Sequence, residues 1–293
     1  MPRLHLAICL LALLTSSPPK LSATPRPTED MLNLSWAENI LTIKGPHLPQ
    51  GNVKIWYLEA FCRPGSTDRD WNETVIPHTT RLIESSPENQ LIRLRSTLQD
   101  GVIVDHEIRA GREEVSFQLV ATNPTDRTSQ AHWAQPCVRV DTFAGVKASQ
   151  NSEEYLPQSF IFLDGNLTRL PTRPWATKAR YTPGQVWCPI HVNRADVNPR
   201  PLSELVPSSG LIGCFSGDGK QILASAWEPY QELFQGVITC VHSDFRIGGL
   251  APGESKTIRG KLYLTGSNVE ALVKRYEADF PEHLTKQSPS SQP

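Results

Sequence analysis

Apolar and polar positions alternate along many short segments of the chain. Residues 115–122 (Val-Ser-Phe-Gln-Leu-Val-Ala-Thr) place apolar side chains at nearly every second position, as a half-buried strand does. Asn123-Pro-Thr-Asp126 then supplies a turn. Similar alternating, β-branched or aromatic segments predict further strands at 39–44, 53–61, 91–95, 102–108, 211–215, 221–227, 236–242 and 257–264.

Turn residues separate these strands at short intervals. Ser216-Gly-Asp-Gly-Lys220 joins residues 211–215 to residues 221–227 and predicts a β-hairpin. Many closely spaced strands without intervening amphipathic helices are typical of antiparallel sheets packed face to face. The pattern therefore predicts an all-β fold, a large antiparallel β-sandwich in which one face of each sheet lies in the core.

One segment departs from this period and predicts a helix over residues 267–280. Ser267-Asn-Val-Glu270 matches a capping box, in which the Ser and Glu side chains satisfy free amide groups of the first turn. Apolar side chains follow on one helical face, at Val269, Leu272, Val273, Tyr276 and Phe280. Because Pro281 cannot continue a helix, we expect a single C-terminal helix that caps the sandwich.

The ends of the chain differ in composition from the middle. Residues 1–23 combine Arg3, an apolar stretch and small residues before Ala23, which predicts a secretory signal peptide and hence a secreted or periplasmic location. We predict a flexible leader at residues 24–31, a single domain over residues 32–283 and a disordered tail at residues 284–293. No later segment is apolar for long enough to predict a membrane span.

Charge and loop composition exclude several classes of function. The formal net charge is −1, and Lys and Arg do not cluster, so we expect no nucleic-acid surface. No Gly-rich phosphate-binding loop follows a strand, so we predict no use of a nucleotide.

Five cysteines remain after the predicted signal peptide. An odd number leaves at least one thiol free or paired between chains, and both an all-thiol set and one or two disulfides are compatible with the sequence. Cys188-Pro-Ile-His191 and Cys240-Val-His242 match no standard zinc spacing, so no metal site is predicted. The other members of the set are Cys62, Cys137 and Cys214.

Two polar and aromatic stretches carry the candidate chemistry. His132-Trp133 follows the turn at 123–126, and Glu228-Pro229 ends the strand predicted at 221–227. With these features, residues 53–264 resemble the galactose mutarotase-like supersandwich of aldose epimerases and related carbohydrate-binding proteins. The resemblance implies that His132 acts as general acid and Glu228 as general base at the anomeric centre of a sugar, because one group can be protonated while the other is ionised.

Six other residues are candidates for sugar binding. Trp133, Trp227 and Tyr230 can stack on sugar rings, although such aromatic residues also form the cores of sandwiches. His242 and Asp244 can form a polar pair in a cleft or a strand-end turn. Arg246 can bind a carboxylate or sulfate of an acidic sugar or form a surface ion pair.

Two functions follow from these features. The first is an exported carbohydrate-binding or carbohydrate-modifying protein, with a mono- or polysaccharide as partner and epimerase- or lyase-like proton transfer that is expected to need no organic cofactor. The second is a non-enzymatic exported β-sandwich that serves as a scaffold or an envelope-associated interaction protein. Residues 242–263 resemble the C-terminal region of exported bacterial proteins without an assigned activity, which favours neither.

Overall fold

The computed structural model describes residues 30–147, 154–172, 186–197, 203–236 and 238–285. The predicted signal peptide, most of the predicted leader and most of the predicted tail lie outside the described residues. Within the described ranges, no helix is both long and apolar enough to cross a membrane.

Two antiparallel sheets form the fold. The first contains, in spatial order, β1 (Asn33–Ala37), β2 (Ile40–Lys44), β3 (Asn52–Cys62), β9 (Trp133–Arg139), β16 (Cys240–Arg246), β15 (Tyr230–Gln235) and β12 (Val186–Trp187), with β4 (Val75–Ile76) paired to β3. The second contains β11 (Asn166–Arg169), β10 (Ser159–Leu163), β13 (Ile212–Phe215), β14 (Gln221–Glu228), β17 (Ser255–Gly266), β8 (Glu114–Thr122), β7 (Ile103–Ala110), β6 (Leu91–Leu98) and β5 (His78–Ser85).

The main hydrophobic core lies between the two sheets, as the alternation predicts. Val241 and Phe245 of the first sheet and Phe117 and Trp227 of the second belong to the same buried cluster. The Trp227 indole packs between the rings of Phe117 and Phe245, at centroid distances of 5.1 and 4.8 Å. The predicted all-β antiparallel sandwich is therefore confirmed.

Helices are short apart from one near the C-terminus. The described α-helices are α1 (Trp71–Thr74), α2 (Asp141–Ala144), α3 (Val269–Asp279) and α4 (Pro281–Thr285). Leu272 and Tyr276 of α3 cover the outer face of the second sheet together with Phe280. The predicted capping helix is therefore present, and the added α4 means that the C-terminal cap consists of two helices.

The predicted helix cap was wrong in one detail. Asn268, rather than Ser267, is the N-cap of α3, and its side-chain oxygen accepts a hydrogen bond from the Ala271 amide at 3.0 Å. An Asn side chain serves this position as well as a Ser does.

Several strand boundaries differ from the sequence-based ones. The strand predicted at 236–242 begins at Cys240 and continues to Arg246. The two polar and aromatic stretches also contain strands, β9 and β15, that the pattern did not indicate. All their side chains except that of Arg139 are buried, so the alternation of exposed and buried positions that marks an ordinary strand is missing.

The cysteines follow the all-thiol alternative. The described chain holds five buried free thiols, Cys62, Cys137, Cys188, Cys214 and Cys240.

Candidate functional site

Polar side chains line the outer face of the first sheet. In β16, Val241 and Phe245 point into the main core, so the alternating positions Cys240, His242 and Asp244 point to the opposite face. These three side chains are nevertheless almost completely buried. A row of buried polar groups on this face is unlike the apolar filling of the core and marks it as a candidate site.

The neighbouring strands extend this polar surface. In β9, Ala134 and Val138 belong to the main core, which leaves Gln135 and Cys137 on the outer face. In β15, Glu232 lies directly opposite Asp244 in the strand register and is fully buried. The face therefore concentrates titratable groups from three adjacent strands.

His242 lies at the centre of this polar surface. Its ring stacks on Phe234 with centroids 4.3 Å apart and an interplanar angle of 7°. Its Nε2 atom lies 3.2 Å from Sγ of Cys240, and its Nδ1 atom lies 3.5 Å from Oδ1 of Asp244. Cysteine, histidine and aspartate thus follow one another along a single strand face, with the imidazole between the thiol and the carboxylate.

The charges of these three groups are strongly linked. Burial alone lowers the pKa of His242, but Cys240 and Asp244 outweigh it and raise that pKa to about 10. Burial raises the pKa of Asp244 to about 7, against the opposing influence of His242. For Cys240, hydrogen bonding from Cys137 and the charge of His242 outweigh burial and lower the thiol pKa. The arrangement therefore favours a thiolate beside an imidazolium.

A second polar group occupies the end of the same face. Asp196 ends the short 3-10 helix Arg194–Asp196 that follows β12. Its Oδ2 atom is 3.2 Å from an Arg246 guanidinium nitrogen and 3.7 Å from Nδ1 of His132. Arg246 also donates to the Gln231 side chain at 2.8 Å. The Gly65 amide donates to Oδ1 of Asp196 at 2.6 Å, so the carboxylate position is fixed by backbone as well as side chains.

His132 is the most accessible member of this group. Its side chain is 22% exposed, whereas those of Asp196 and Arg246 are 6% and 19% exposed. Burial lowers the pKa of His132, and Arg246 acts in the same direction, while Asp196 opposes them. The imidazole is therefore mainly neutral near pH 7, which suits it to accept rather than donate a proton. Gly249 leaves it room, because a Cβ there would lie 2.8 Å from Nε2 of His132.

Glu228 lies on the other sheet. Its neighbour Trp227 points into the main core, so Glu228 points to the outer face of the second sheet, beneath the C-terminal helices. Its Oε2 atom is 2.7 Å from Nε2 of His283, whose Nδ1 atom is 2.5 Å from the Tyr276 hydroxyl. His132 and Glu228 therefore each contact a different titratable partner, and their joint action on one sugar stays a prediction.

The three aromatic candidates are enclosed. Trp133 is fully buried on the outer face of the first sheet, in a cluster with Ala60 and Cys62. Trp227 is held between two Phe rings of the main core, and Tyr230 packs 5.3 Å from the His283 ring. In these positions the rings support the site region from within, and their stacking on sugar stays a prediction.

Sequence reasoning did not find several members of the site. Asp196 and Gln231 belong to no recognisable motif, and their roles depend on contacts between segments distant along the chain. The alternation Cys240, His242, Asp244 is visible in the sequence and gave a usable signal, because alternating positions of a strand share one face.

A large cleft of about 1120 Å³ lies elsewhere on the molecule. Asp30, His47, Arg112 and Arg275 are among its lining residues, and the lining includes none of the predicted site residues. Size alone therefore does not mark the site in the described part of the chain.

Comparison with known proteins gave structural matches only. No family model matches the chain, and no curated protein matches it. A putative aldose 1-epimerase from Escherichia coli K12 is 11% identical, with 80% of this chain and 99% of that one covered and a TM-score of 0.40. A galactose mutarotase-like protein from Lactobacillus casei is 8% identical, with 80% and 99% covered and a TM-score of 0.43. A galactose 1-epimerase from Lactobacillus acidophilus is 10% identical, with 81% and 98% covered and a TM-score of 0.34. These are similarities of overall strand arrangement and assign no role to any residue.

Proposed function

We propose that the protein is an exported carbohydrate-binding or carbohydrate-modifying protein whose site lies at the end of the first sheet, around His132, Asp196 and Arg246. The observation that carries the proposal is that one Asp196 carboxylate lies beside both a partly exposed imidazole and a guanidinium. Carboxylate, guanidinium and amide groups in fixed positions are suited to the closely spaced hydroxyl groups of a sugar.

Some side chains of this site can bind the sugar, and others can transfer protons. Arg246, whose side chain is 19% exposed, offers hydrogen-bond donors at the end of β16 and can bind a carboxylate or sulfate of an acidic sugar. The buried Gln231 side chain accepts from Arg246 and holds its guanidinium in place. His132, neutral near pH 7, accepts a proton from the anomeric hydroxyl, and Asp196 stabilises the imidazolium that forms. A second group must donate a proton to the ring oxygen as the bond from C1 to that oxygen breaks.

The second proton has to come from another titratable side chain. The sequence-based prediction names Glu228 for this role, although its carboxylate contacts His283 beneath the C-terminal helices rather than the His132 group. The family resemblance implies that His132 donates a proton. The lowered pKa of His132 favours the opposite role, in which the neutral imidazole accepts one. No organic cofactor takes part in this chemistry.

A ligand screen tests the proposal. The folded full chain is mixed with neutral and acidic mono- and oligosaccharides, and the thermal unfolding midpoint is recorded for wild type, His132→Gln, Asp196→Asn and Glu228→Gln. We expect a stabilising sugar whose effect is lost in His132→Gln and Asp196→Asn. The matched control is Asp105→Asn, which removes an exposed carboxylate paired with Arg95 on the second sheet and should keep the effect. The absence of any stabilising sugar, or an equal effect in all variants, would overturn the proposal.

A non-enzymatic exported scaffold is the second candidate. It is favoured by one observation, that His132 and Glu228 contact different partners, Asp196 and His283, as expected if both serve to hold the structure together. Under this alternative the same screen gives no sugar-dependent stabilisation, while Asp196→Asn and Glu228→Gln still lower the unfolding midpoint.

A further inference from the structure

Three side chains that commonly ligate soft metal ions meet on the outer face of the first sheet. Cys240 and His242 occupy alternating positions of β16, and Cys137 lies on the adjacent strand β9, where Val138 pairs with Val241. The two sulfur atoms and an imidazole nitrogen all lie within 4.8 Å of one another. The register of two neighbouring strands, rather than a sequence motif, brings these atoms together.

The type and spacing of these atoms suit a thiophilic metal ion. Two thiolates and one imidazole form a soft ligand set that selects Zn²⁺ or Cu⁺ over Mg²⁺ and Ca²⁺. Ligand atoms at tetrahedral angles around Zn²⁺ are separated by about 3.5–3.8 Å, given bond lengths of about 2.0–2.3 Å. The separation of Sγ of Cys240 from Nε2 of His242, 3.2 Å, is close to this range.

Asp244 supplies the outer support that such a site needs. Histidine ligands usually direct their other ring nitrogen to a carboxylate, which fixes the ring orientation. Nδ1 of His242 lies 3.5 Å from Oδ1 of Asp244, on the side of the ring away from Cys240. Asp244 is fully buried, and neither carboxylate oxygen has a hydrogen bond within the described residues. The His242 ring is the nearest cationic partner of this carboxylate, and the Gln135 side-chain amide lies 3.3 Å from the same Nδ1 atom.

The backbone encloses the cluster closely. A Cβ at Gly236 would overlap Sγ of Cys240 and would lie 2.9 Å from Nε2 of His242, so the glycine backbone packs directly against the donor atoms. The Tyr155 hydroxyl donates to the Gly236 carbonyl at 2.5 Å and holds this segment in place. The cluster is therefore shielded from solvent, and with three protein ligands the fourth position of a tetrahedral Zn²⁺ would be left to a non-protein ligand such as water.

We propose that Cys137, Cys240 and His242 bind one Zn²⁺ ion, with Asp244 orienting the His242 ring. The ion joins β9 to β16 and neutralises the two thiolates. The site is distinct from the His132, Asp196 and Arg246 group and does not depend on the proposed action on sugars.

Cobalt substitution tests this proposal in the full chain. The reduced, metal-free folded protein is titrated with Co²⁺, and thiolate-to-cobalt charge-transfer absorption is recorded; Zn²⁺ is then added. We expect saturation at one Co²⁺ per chain and loss of the absorption when Zn²⁺ displaces it. Cys137→Ser and Cys240→Ser should abolish the absorption. The matched control Cys214→Ser removes a buried thiol outside the cluster and should leave it unchanged.

A further variant separates the ligands from their support. Asp244→Asn keeps all three proposed ligands and should weaken Co²⁺ affinity by about 10- to 100-fold while keeping the absorption spectrum. Near-ultraviolet circular dichroism establishes that each variant is folded before titration. If a cysteine variant does not fold, wild type decides the question. A folded, reduced wild type without the absorption, an absorption that persists in Cys137→Ser, or a Cys137–Cys240 disulfide in the purified protein would overturn the proposal.

Discussion

The Asp196 carboxylate lies 3.7 Å from Nδ1 of His132, although 64 positions (132 to 196) separate the two residues in the sequence. Asp196 is held by hydrogen bonds that do not involve His132, from the Gly65 amide and from Arg246. The carboxylate is therefore positioned before any ligand binds, and His132, whose side chain is 22% exposed, lies beside it. This relationship is the basis of the proposed action on sugars.

Acidification should remove the proposed function of His132. Because burial lowers its pKa, the imidazole is neutral near pH 7 and becomes protonated only at more acidic pH than an exposed histidine. We expect sugar-dependent stabilisation in wild type to be constant around neutral pH and to fall once pH drops through this lowered pKa. His132→Gln, in which the sugar-dependent stabilisation is already lost at neutral pH, should show none at any pH. Equal pH profiles for the two proteins would contradict the assigned role.

Asp196 should also contribute to stability. Its side chain is 6% exposed and accepts hydrogen bonds from Gly65 and Arg246, so its removal leaves buried donors without a charged acceptor. We expect Asp196→Asn to lower the free energy of unfolding by about 1–3 kcal/mol, measured by urea denaturation. Asp105→Asn removes an exposed ion pair and should change it by less than about 1 kcal/mol. A larger loss in Asp105→Asn than in Asp196→Asn would contradict the assigned position.

Close packing against Trp227 should make the fold sensitive to substitution of Gly260. A Cβ at Gly260 would overlap the Trp227 indole, which two Phe rings already hold in place. We expect Gly260→Ala to destabilise the fold by about 1–3 kcal/mol in urea denaturation, through overpacking. Gly266, on the same strand, has nothing within 4 Å of a Cβ position, so Gly266→Ala should be close to neutral. Similar losses of unfolding free energy in Gly260→Ala and Gly266→Ala would contradict the close packing of Gly260 against Trp227.

His106 should make the fold sensitive to acid. Burial lowers its pKa to about 3, and its ring nitrogens contact the Tyr57 and Ser96 hydroxyls at 3.0 and 2.9 Å. Between pH 3 and 6.5 the unfolded chain binds a proton at this residue that the folded chain does not, so stability falls as pH falls. From pH 6.5 to 5 the loss should be about 1.6 kcal/mol.

Urea denaturation across this pH range checks the His106 prediction. His106→Gln removes the titrating group, so its free energy of unfolding should vary less with pH than that of wild type. Its absolute stability at pH 7 is not the quantity of interest, because the substitution also changes two hydrogen bonds. Parallel pH profiles for the two proteins would contradict the prediction.

The regular part of the fold could be predicted because it has a solvent-exposed face. In β8, intermediate or exposed side chains alternate with buried ones, and the polar and apolar pattern follows. The first sheet is different, since β15 is buried on both faces and β9 almost entirely so. Their polar residues lie on a buried face rather than in water, so a pattern based on exposure did not indicate strands there.

The site could be predicted only where its members are close in sequence. Alternation along one strand places Cys240, His242 and Asp244 on a common face, and the sequence already singled out His242 and Asp244. Asp196 and Cys137 join the site through tertiary contacts that no local pattern encodes. Conversely, the sequence paired Glu228 with His132, but Glu228 ends β14 of the second sheet, and alternation with Trp227 places it on the outer face of that sheet.

Saturation-transfer difference NMR on the folded full chain tests the central claim most directly. Neutral and acidic monosaccharides are added to wild type and to Asp196→Asn, with Asp105→Asn as the matched control. We predict saturation transfer to at least one sugar in wild type and Asp105→Asn, strongest at protons near the anomeric carbon, and its loss in Asp196→Asn. Equal transfer in all three proteins, or no transfer in wild type, would contradict a carbohydrate site at the His132, Asp196 and Arg246 group.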